Sequence, residues 1–394
     1  MPLPLLALFF AAFAFGTTEF VIAGVLPQVA EGLGVSIPNA GYLVSGYAIG
    51  IAIGGPLMTI ATGRVPRKTL LMWVLVAFTV GQLACALAPD FVSMLVLRVV
   101  IAVGHGVYFG VAMVVGIGLV RPEQRGMAVA LILAGLTVSG IIGVPLGTAI
   151  GTIWGWRATF WAMFVLGIIA TIAMALLLPR GTGAVSAPAG LRNEVRVLGR
   201  QQVWTCLIIM LMLMLCQFVP YTYITPLLQE VTGISPAIVP FVLLLCGVGS
   251  TVGVFIGGRL SARYLLPTLM ILPALQAVTM LVIYLVSPYP LPMIAALFVW
   301  SGINFAIGTP IQTRILSWTA DAPNLASSLI PSGFNFGIAI AASVGALMLN
   351  AGFDYRSLPL VGIASMSVAT LVAIGSYVWE KRSGAVPPKA AGQV

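Results

Sequence analysis

The chain has 394 residues, of which 60% are hydrophobic and only 7% are charged, and its mean hydropathy is +1.12. Soluble proteins contain about 25% charged residues, so a soluble fold of this composition would lack the polar side chains that cover a protein surface. The net charge of +9 comes from basic residues in short segments between apolar blocks, which is a topology signal rather than a nucleic-acid-binding face. The composition predicts a protein embedded in a lipid bilayer.

Twelve apolar blocks are long enough to cross a hydrocarbon core of about 30 Å. Six predicted spans lie in the first half of the sequence, at 3–27, 39–61, 69–88, 91–116, 126–151 and 158–179. Six more follow, at 203–228, 237–258, 267–286, 291–313, 325–350 and 358–379. The first block lacks a basic start and is longer than the apolar region of a signal peptide, so we interpret it as a retained transmembrane helix.

Residues 181–202 form the longest polar interval and are rich in Gly, Ala, Pro and Arg. This composition predicts a cytoplasmic linker between a six-helix half at 1–180 and a second half at 203–380, with a cytoplasmic tail at 381–394. The expected fold class is therefore an all-α membrane protein of 12 transmembrane helices in two pseudo-symmetric six-helix halves.

The two halves repeat each other at a shift of about 198 residues. At this shift Gly135 matches Gly333, and Gly147 matches Gly345. Matches in register on separate helices indicate an internal duplication, which is an architecture used by carriers that work by alternating access.

Lysine and arginine residues are distributed unevenly between the two sides of the predicted bundle. Segments after odd-numbered spans hold only Arg157 and Arg356. Segments after even-numbered spans, with the C-terminal tail, hold fifteen: Arg64, Arg67, Lys68, Arg121, Arg125, Arg180, Arg192, Arg196, Arg200, Arg259, Arg263, Arg314, Lys381, Arg382 and Lys389. The positive-inside rule therefore predicts that both termini are cytoplasmic.

Glu19 is the acidic residue that lies well inside a predicted span, where a carboxylate is costly and points to function. It lies eight residues before Pro27, and Arg98 lies seven residues after Phe91, so both are about 10–12 Å below the same membrane surface. This depth predicts an ion pair whose breaking would let Glu19 take up a proton. The alternative is a structural carboxylate that is satisfied by helix packing or by the neighbouring threonines.

His105 is the only histidine of the chain and follows Arg98 by seven residues, which places both on one face of a helix. It is a candidate for relaying protons or for hydrogen-bonding a substrate. A neutral histidine bonded to a neighbouring carbonyl group is an equally open alternative.

The fifth predicted span contains Gly140, Gly143, Pro145 and Gly147. Glycines four residues apart let helices approach backbone to backbone, and a proline removes a backbone hydrogen bond and bends the helix. This pattern indicates a rocking hinge or a tight seam, with ordinary small-residue packing as the alternative.

Neutral polar and aromatic residues are found in the spans of the second half, where no second buried charge is apparent. A cavity lined in this way suits amphiphilic, neutral or monocationic molecules rather than phosphates or dicarboxylates. The alternative is that these side chains only join helices to one another. The candidate cavity residues are Tyr108 of the fourth span and, in the second half, Gln217, Tyr221, Tyr223, Trp300, Asn304, Phe305 and Asn335.

Enzymatic and metal chemistry find little support in the residues. The four cysteines all fall inside apolar blocks without CxxC spacing, so neither a metal site nor a disulfide framework is predicted. One histidine and one buried acid provide no catalytic constellation. We expect no enzyme activity and no cofactor, with a proton gradient as the energy source.

Several motifs resemble those of the major facilitator superfamily, specifically its drug:proton antiporter branch. That branch includes bacterial arabinose, sugar and purine-nucleoside efflux permeases and chloramphenicol-resistance transporters. The resemblance runs over nearly the whole chain. It is carried by Gly16-Thr-Thr-Glu-Phe20, by His105-Gly-Val-Tyr-Phe109 and by Gly143-Val-Pro-Leu-Gly-Thr148, together with Gly155-Trp-Arg-Ala-Thr-Phe160 and Asn335-Phe-Gly337.

The resemblance implies roles for the residues already singled out. The segment Gly140–Gly151 looks like the branch's antiporter motif, which implies export rather than symport. Arg98 matches the buried fourth-helix arginine associated with proton coupling, and Glu19 matches the first-helix acid linked to protons or cationic substrates.

The cytoplasmic loop motif of the family is degenerate in this sequence. Arg64, Arg67 and Lys68 are present, but Gly63 stands where the family has an acid. The second-half copy at Arg263 lacks the acid as well. These four basic residues are the candidate cytoplasmic gate, although the missing acids put its usual charge relay in doubt.

The expected function is proton-coupled efflux of small amphiphilic organic molecules or drugs, with a sugar or nucleoside efflux permease as the alternative. A helical channel is the alternative of another class, and it would conduct without saturation. The expected partners are the substrate, protons and the lipid bilayer. We expect a monomer that does not bind nucleic acid, in the inner membrane of a bacterium.

Overall fold

The computed structural model describes residues 3–179, 199–319 and 323–384. All but the last four residues of the predicted linker 181–202, and all but the first four of the predicted tail 381–394, lie outside the described residues.

Long apolar helices account for six spans in the first half of the chain. Their high hydropathy follows from runs of Ala, Val, Ile, Leu and Phe that satisfy their backbone groups internally, as a bilayer requires. They are α1 (Leu3–Gly24), α2 (Ile37–Ala61), α3 (Arg67–Ala86), α4 (Phe91–Gly118), α5 (Arg125–Trp154) and α6 (Trp156–Leu177).

The second half contains a helix that is too long for one membrane crossing. Val239–Val286 runs for 48 residues, which would be about 72 Å if straight, more than twice a hydrocarbon core. Tyr264 interrupts it with non-helical φ −141° and ψ 56°, so its two arms, α8 (residues 239–263) and α9 (residues 265–286), are separate spans. The others are α7 (Gln201–Thr222), α10 (Pro290–Trp318), α11 (Pro323–Asn350) and α12 (Leu358–Ser383).

The predicted twelve spans are therefore confirmed in the described chain, as eleven apolar helices of which one is kinked into two. The predicted fold class is confirmed with them. The boundaries agree to within six residues, and the largest difference is at the end of α7, which was predicted at 228 and lies at Thr222. α1 ends at Gly24, and a separate short helix, Leu26–Gly32, follows it.

Two spans of the first half are locally widened into a π-turn. The π-turns are Gly50–Gly54 in α2 and Ser139–Gly143 in α5, and a proline follows each by two residues, at Pro56 and Pro145. Proline has no N–H to donate and its ring pushes away the carbonyl one turn back, which favours such a widened turn. The two breaks lie 89 residues apart, the spacing of a three-helix repeat inside the six-helix half.

Packing confirms the longer repeat between the halves. A Cβ atom added at Gly135 would lie 2.8 Å from Ala12 Cβ, and one added at Gly333 would lie 2.9 Å from Met210 Sδ. Both members of the second pair lie 198 residues after those of the first. The same correspondence relates two further contacts, Gly147 with Val21 and Gly345 with Val219.

The described residues divide into two compact units. The first contains residues 3–179 together with Ile224–Gln229 and Ile234–Gly247. The second contains the described residues of Pro188–Tyr223 and Val248–Val394, with Glu230–Gly233. Within the first unit α1 packs against α5 and α6, and within the second α7 packs against α11 and α12.

Arg314 was counted as a basic loop residue, but it lies in a helix. It lies inside α10 with 2% of its surface exposed, and its guanidinium is paired with the Glu380 carboxylate and bonded to Ser376 Oγ at 2.7 Å, both on α12. The sequence placed Arg314 in a loop because the predicted span stopped at 313, whereas α10 continues to Trp318. Without Arg314 the count of fifteen against two becomes fourteen against two.

Candidate functional site

Glu19 of α1 faces His105 of α4 inside the first unit. Glu19 Oε2 lies 4.0 Å from His105 Nε2, and the two residues are 8% and 3% exposed. A carboxylate and an imidazole at this distance can share or exchange a proton with little rearrangement. The structure thus joins two of the three residues that the sequence singled out for proton coupling.

Tyr47 of α2 completes this pair from the other side of the imidazole ring. Its hydroxyl lies 3.1 Å from His105 Nδ1, and the Tyr47 residue is 1% exposed. A neutral imidazole carries one N–H, so a Tyr47 hydroxyl that donates to Nδ1 fixes the N–H on Nε2, which points at the Glu19 carboxylate. Tyr47 was missed in the sequence because it is one aromatic residue among many in an apolar block.

Arg98 lies beside this group but takes different partners from the one predicted. Its Nε donates to Leu43 O at 3.2 Å and its Nη1 to Thr18 O at 3.4 Å. Its Cζ lies 4.7 Å from the centroid of the Tyr47 ring, within the range of a cation–π interaction. Both residues are described, and no ion pair within 4.0 Å joins Arg98 to Glu19, so the predicted direct pair is not found.

Helix length explains this difference. The predicted depth of Glu19 assumed that the first helix leaves the membrane near Pro27, but the chain stays helical to Gly32 after a break at Val25. Glu19 is then thirteen residues from that end, or about 20 Å. His105 is fourteen residues from the start of α4, or about 21 Å. Glu19 is thus level with His105 rather than with Arg98.

The neighbouring threonines do not satisfy the Glu19 carboxylate. Thr17 Oγ1 donates to Phe13 O at 2.8 Å, and Thr18 Oγ1 accepts from Gln82 Nε2 at 3.1 Å. Thr17 thus donates within its own helix, Thr18 is held by α3, and neither hydroxyl group forms a hydrogen bond with the Glu19 carboxylate. This disfavours the alternative in which Glu19 is only a structural carboxylate bonded to Thr17 and Thr18.

Close helix crossings hold Glu19 and His105 in place. A Cβ atom added at Gly143, in the π-turn of α5, would lie 2.1 Å from Thr17 Oγ1. On the other side, a Cβ atom added at Gly106 of α4 would lie 2.6 Å from Gly55 Cα of α2. Each crossing lies within two residues of one member of the pair, so the glycines hold α1 against α5 beside Glu19 and α4 against α2 beside His105.

The other residues of the predicted antiporter motif have different surroundings. A Cβ atom at Gly147 would lie 2.5 Å from Val21 Cγ2, whereas one at Gly140 would have no atom within 4 Å. Pro145 lies two residues after the π-turn Ser139–Gly143. The close packing of α5 on α1 therefore depends on Gly143 and Gly147, and Gly140 faces away from it.

Tyr108, a predicted cavity residue, is packed inside the first unit. It is 0% exposed, its hydroxyl donates to Leu8 O, and its ring stacks on Phe15 with centroids 5.0 Å apart. The Phe15 ring also lies 5.1 Å from the His105 ring. Tyr108 thus supports the position of His105 through Phe15.

An amide network occupies the second unit. Asn304 Nδ2 of α10 donates to Gln217 Oε1 of α7. Gln276 Nε2 of α9 lies 3.5 Å from Asn304 Oδ1 and donates to Trp300 O at 3.3 Å. The sequence identified Gln217, Trp300 and Asn304 as candidates, and the structure brings them together.

This network and the Glu19 group occupy equivalent positions of the repeat. Gln217 follows Glu19 by 198 residues, and Asn304 follows His105 by 199. The contact between α1 and α4 is therefore repeated between α7 and α10, with neutral amides in place of an acid and an imidazole.

The remaining cavity candidates have different surroundings, and Tyr221 lies beside that network. The Tyr221 ring centroid lies 6.5 Å from that of Trp300, and Tyr223 donates to Ala342 O at 3.3 Å. Phe305 is 41% exposed. Asn335 Nδ2 donates to Pro331 O at 3.1 Å within its own helix.

The four candidate gate residues differ in their exposure and in their contacts. Arg64 is exposed and Arg67 is buried. Lys68 Nζ donates to Ala175 O at 3.1 Å and to Leu178 O, which joins the start of α3 to the end of α6. The Arg263 guanidinium carbon lies 5.3 Å from the ring centroid of Tyr264, at the kink between α8 and α9.

Comparison with known proteins agrees with this architecture. The inner membrane transport protein YdhP of Escherichia coli K12 is 37% identical over 373 residues, which is 95% of each chain. The chloramphenicol resistance protein of Streptomyces lividans is 32% identical over 351 residues, covering 89% of this chain and 90% of its own.

A solved structure shares the fold at low sequence identity. It is the crystal structure of a bacterial homologue of the human lysosomal transporter Spinster, in an inward-facing and unoccupied conformation. The TM-score is 0.76 at 16% identity, with 96% of each chain covered. The sequence profile of the Major Facilitator Superfamily matches residues 8–321. The chain therefore belongs to the Major Facilitator Superfamily and is a multi-pass membrane transporter rather than an enzyme.

Proposed function

We propose that this transporter exports small amphiphilic organic molecules in exchange for protons, across the inner membrane of a bacterium and with both termini in the cytoplasm. The observation that carries the proposal is the buried contact between Glu19 and His105, 4.0 Å apart. An ionisable acid in a membrane helix is expensive and has value when its charge changes during the transport cycle. In this proposal Glu19 is the proton-binding group.

His105 and Tyr47 provide the route by which the proton reaches or leaves Glu19. The imidazole lies between the carboxylate at 4.0 Å and the Tyr47 hydroxyl at 3.1 Å, so it can pass a proton by exchanging its tautomer. Arg98 supplies a fixed positive charge beside them, held by two backbone carbonyl groups. That charge favours the ionised form of Glu19 when the proton leaves.

The amide network of the second unit is the proposed substrate-binding group. Gln217 and Asn304 have no ionisable atoms, so a substrate that binds there needs hydrogen-bonding groups rather than opposite charge. A relative that is named a chloramphenicol resistance protein, at 32% identity, supports drug-like molecules as the first class to test. The amides would also suit the hydroxyl groups of a sugar or nucleoside, which is the second candidate.

The test uses purified protein in liposomes with an imposed pH gradient. We expect saturable movement of chloramphenicol against protons, and its loss when an ionophore collapses the gradient. Arabinose and a purine nucleoside in the same assay distinguish the second candidate. Movement that does not saturate would identify a channel, and saturable movement that ignores the gradient would contradict proton coupling.

A further inference from the structure

Arg67, the first residue of α3, carries a charge that no described residue neutralises. It is 9% exposed, and its Nε is buried without a hydrogen-bond partner. Among the described residues, no ion pair is formed with Arg67. A buried guanidinium Nε without a hydrogen-bond partner is costly, and an anion that accepts from it would complete this site.

The residues near Arg67 in the sequence do not supply that anion. The sequence has no Asp or Glu between Glu31 and Asp90. The adjacent Lys68 is already used, because its amine donates to Ala175 O and Leu178 O at the end of α6. The start of α3 adds further positive potential, since its N-cap residue Pro66 provides no side-chain cap and a helix N-terminus favours anions.

The position of Arg67 selects the source of the anion. The start of α3 and the end of α6 lie at one level, because Lys68 joins them, and this level is the edge of two membrane-spanning helices. Apolar side chains are exposed at Ile60 (72%) and Trp73 (60%), which lie seven and six residues from Arg67 in the sequence, and at Leu176 (78%) in the last turn of α6. A surface that offers a buried cation beside exposed apolar side chains matches a phospholipid, with its phosphate and its acyl chains.

We infer that Arg67 binds the phosphate group of an anionic membrane phospholipid. The planar guanidinium can donate two parallel hydrogen bonds to phosphate oxygens. The lipid then provides the counter-charge that the loop lacks at Gly63. This inference is independent of the substrate and of proton coupling.

Native mass spectrometry of the full-length protein tests the inference, with phosphatidylglycerol, phosphatidylcholine and inorganic phosphate as probes. We expect the wild-type protein to retain one phosphatidylglycerol molecule more tightly than phosphatidylcholine. Arg67→Gln should weaken phosphatidylglycerol binding about tenfold, the loss expected for charge-assisted hydrogen bonds. Arg64→Gln is the matched control, because Arg64 is exposed in the same loop, and it should bind as the wild type does.

Several outcomes would overturn the inference. Equal phosphatidylglycerol binding by Arg67→Gln and wild type would remove Arg67 from the site, and equal losses in both variants would indicate a diffuse charge effect. Displacement of the lipid by millimolar inorganic phosphate would assign the site to a soluble anion. If Arg67→Gln does not fold, Arg67→Lys keeps the charge without the paired donors, and binding equal to that of the wild type would contradict the proposed guanidinium–phosphate contact.

Discussion

The carboxylate of Glu19 faces His105 Nε2 at 4.0 Å, and the same two positions of the repeat are taken by Gln217 and Asn304 in the second unit. Duplication has kept a polar contact between equivalent helices while changing its chemistry. One copy can change its charge, and the other can only donate and accept hydrogen bonds. In the function that we propose, proton binding and substrate binding therefore belong to different halves of the chain, and this proposal can be tested one half at a time.

Glu19→Gln should abolish proton-driven transport. The amide keeps the size and polarity of the side chain but cannot release a proton, so the cycle loses its coupling step. Exchange of labelled for unlabelled substrate, which needs no net proton movement, should persist. Both rates are measured in the same liposomes. Glu31→Gln is the control, because Glu31 is an exposed acid in the short helix that follows α1. If Glu19→Gln shows gradient-driven uptake at the rate of this control, Glu19 has no role in proton coupling.

Tyr47→Phe should slow proton-driven transport about tenfold, since one hydrogen bond that orients the imidazole is worth about 1–1.5 kcal/mol. The loss should appear in the pH dependence of the rate rather than in substrate affinity, because Tyr47 contacts His105 and not the amide network. Tyr108→Phe removes a hydroxyl that is bonded to Leu8 O instead, so its pH profile should match the wild type. Identical profiles for both variants would assign Tyr47 a packing role only.

Hydropathy was sufficient to predict the spans, because a bilayer demands about 20 apolar residues for each crossing whatever the packing. The kink at Tyr264 was compatible with that prediction, since the sequence already separated the two arms by a short polar interval. Helix ends were harder to predict. Arg314 was placed in a loop because a charge usually marks the end of a span, and its buried partner Glu380 is 66 residues away.

The candidate site was predicted in its residue types but not in its pairing. Depth estimates depend on where a helix leaves the membrane, and the helical turns up to Gly32 moved Glu19 to the level of His105. No sequence pattern marked Tyr47 as a site residue, because its role depends on the crossing of α2 and α4 at Gly55 and Gly106. Such crossings are set by three-dimensional packing, which a single sequence does not encode in its local pattern.

Gln217→Ala should weaken substrate affinity about tenfold while transport keeps its dependence on the pH gradient. The variant removes the acceptor of the Asn304 amide and leaves Glu19 untouched. The half-saturation concentration and the response to the gradient are measured together. Gln201→Ala is the control, because Gln201 is an exposed glutamine at the start of the same helix, α7. Loss of gradient dependence in Gln217→Ala would contradict the separation of the two roles.

Gly143→Ala should damage the protein, while Gly140→Ala should be tolerated. The new methyl group at residue 143 would lie 2.1 Å from Thr17 Oγ1, but one at residue 140 would have no atom within 4 Å. Overpacking of this kind costs about 1–3 kcal/mol and would displace α1 two residues from Glu19. We expect a lower unfolding temperature and slower transport for Gly143→Ala alone. Equal behaviour of the two variants would show that the π-turn adapts without effect on the site.

Arg314 and Glu380 should stabilise the second unit only as a pair. Arg314 is 2% exposed, and the Glu380 side chain is 13% exposed, so removing the acid leaves a buried guanidinium with only the neutral side chains of Ser376 and Cys206 as partners among the described residues. Glu380→Gln should therefore lower the free energy of unfolding by about 3 kcal/mol, as expected when one member of a buried pair is lost. The double variant Arg314→Met/Glu380→Leu should recover most of that loss, because it leaves no buried charge behind. Thermal unfolding in detergent compares the stability of the wild type and the two variants. A double variant that is less stable than Glu380→Gln would contradict this prediction. It would mean that the ion pair itself stabilises the contact between α10 and α12.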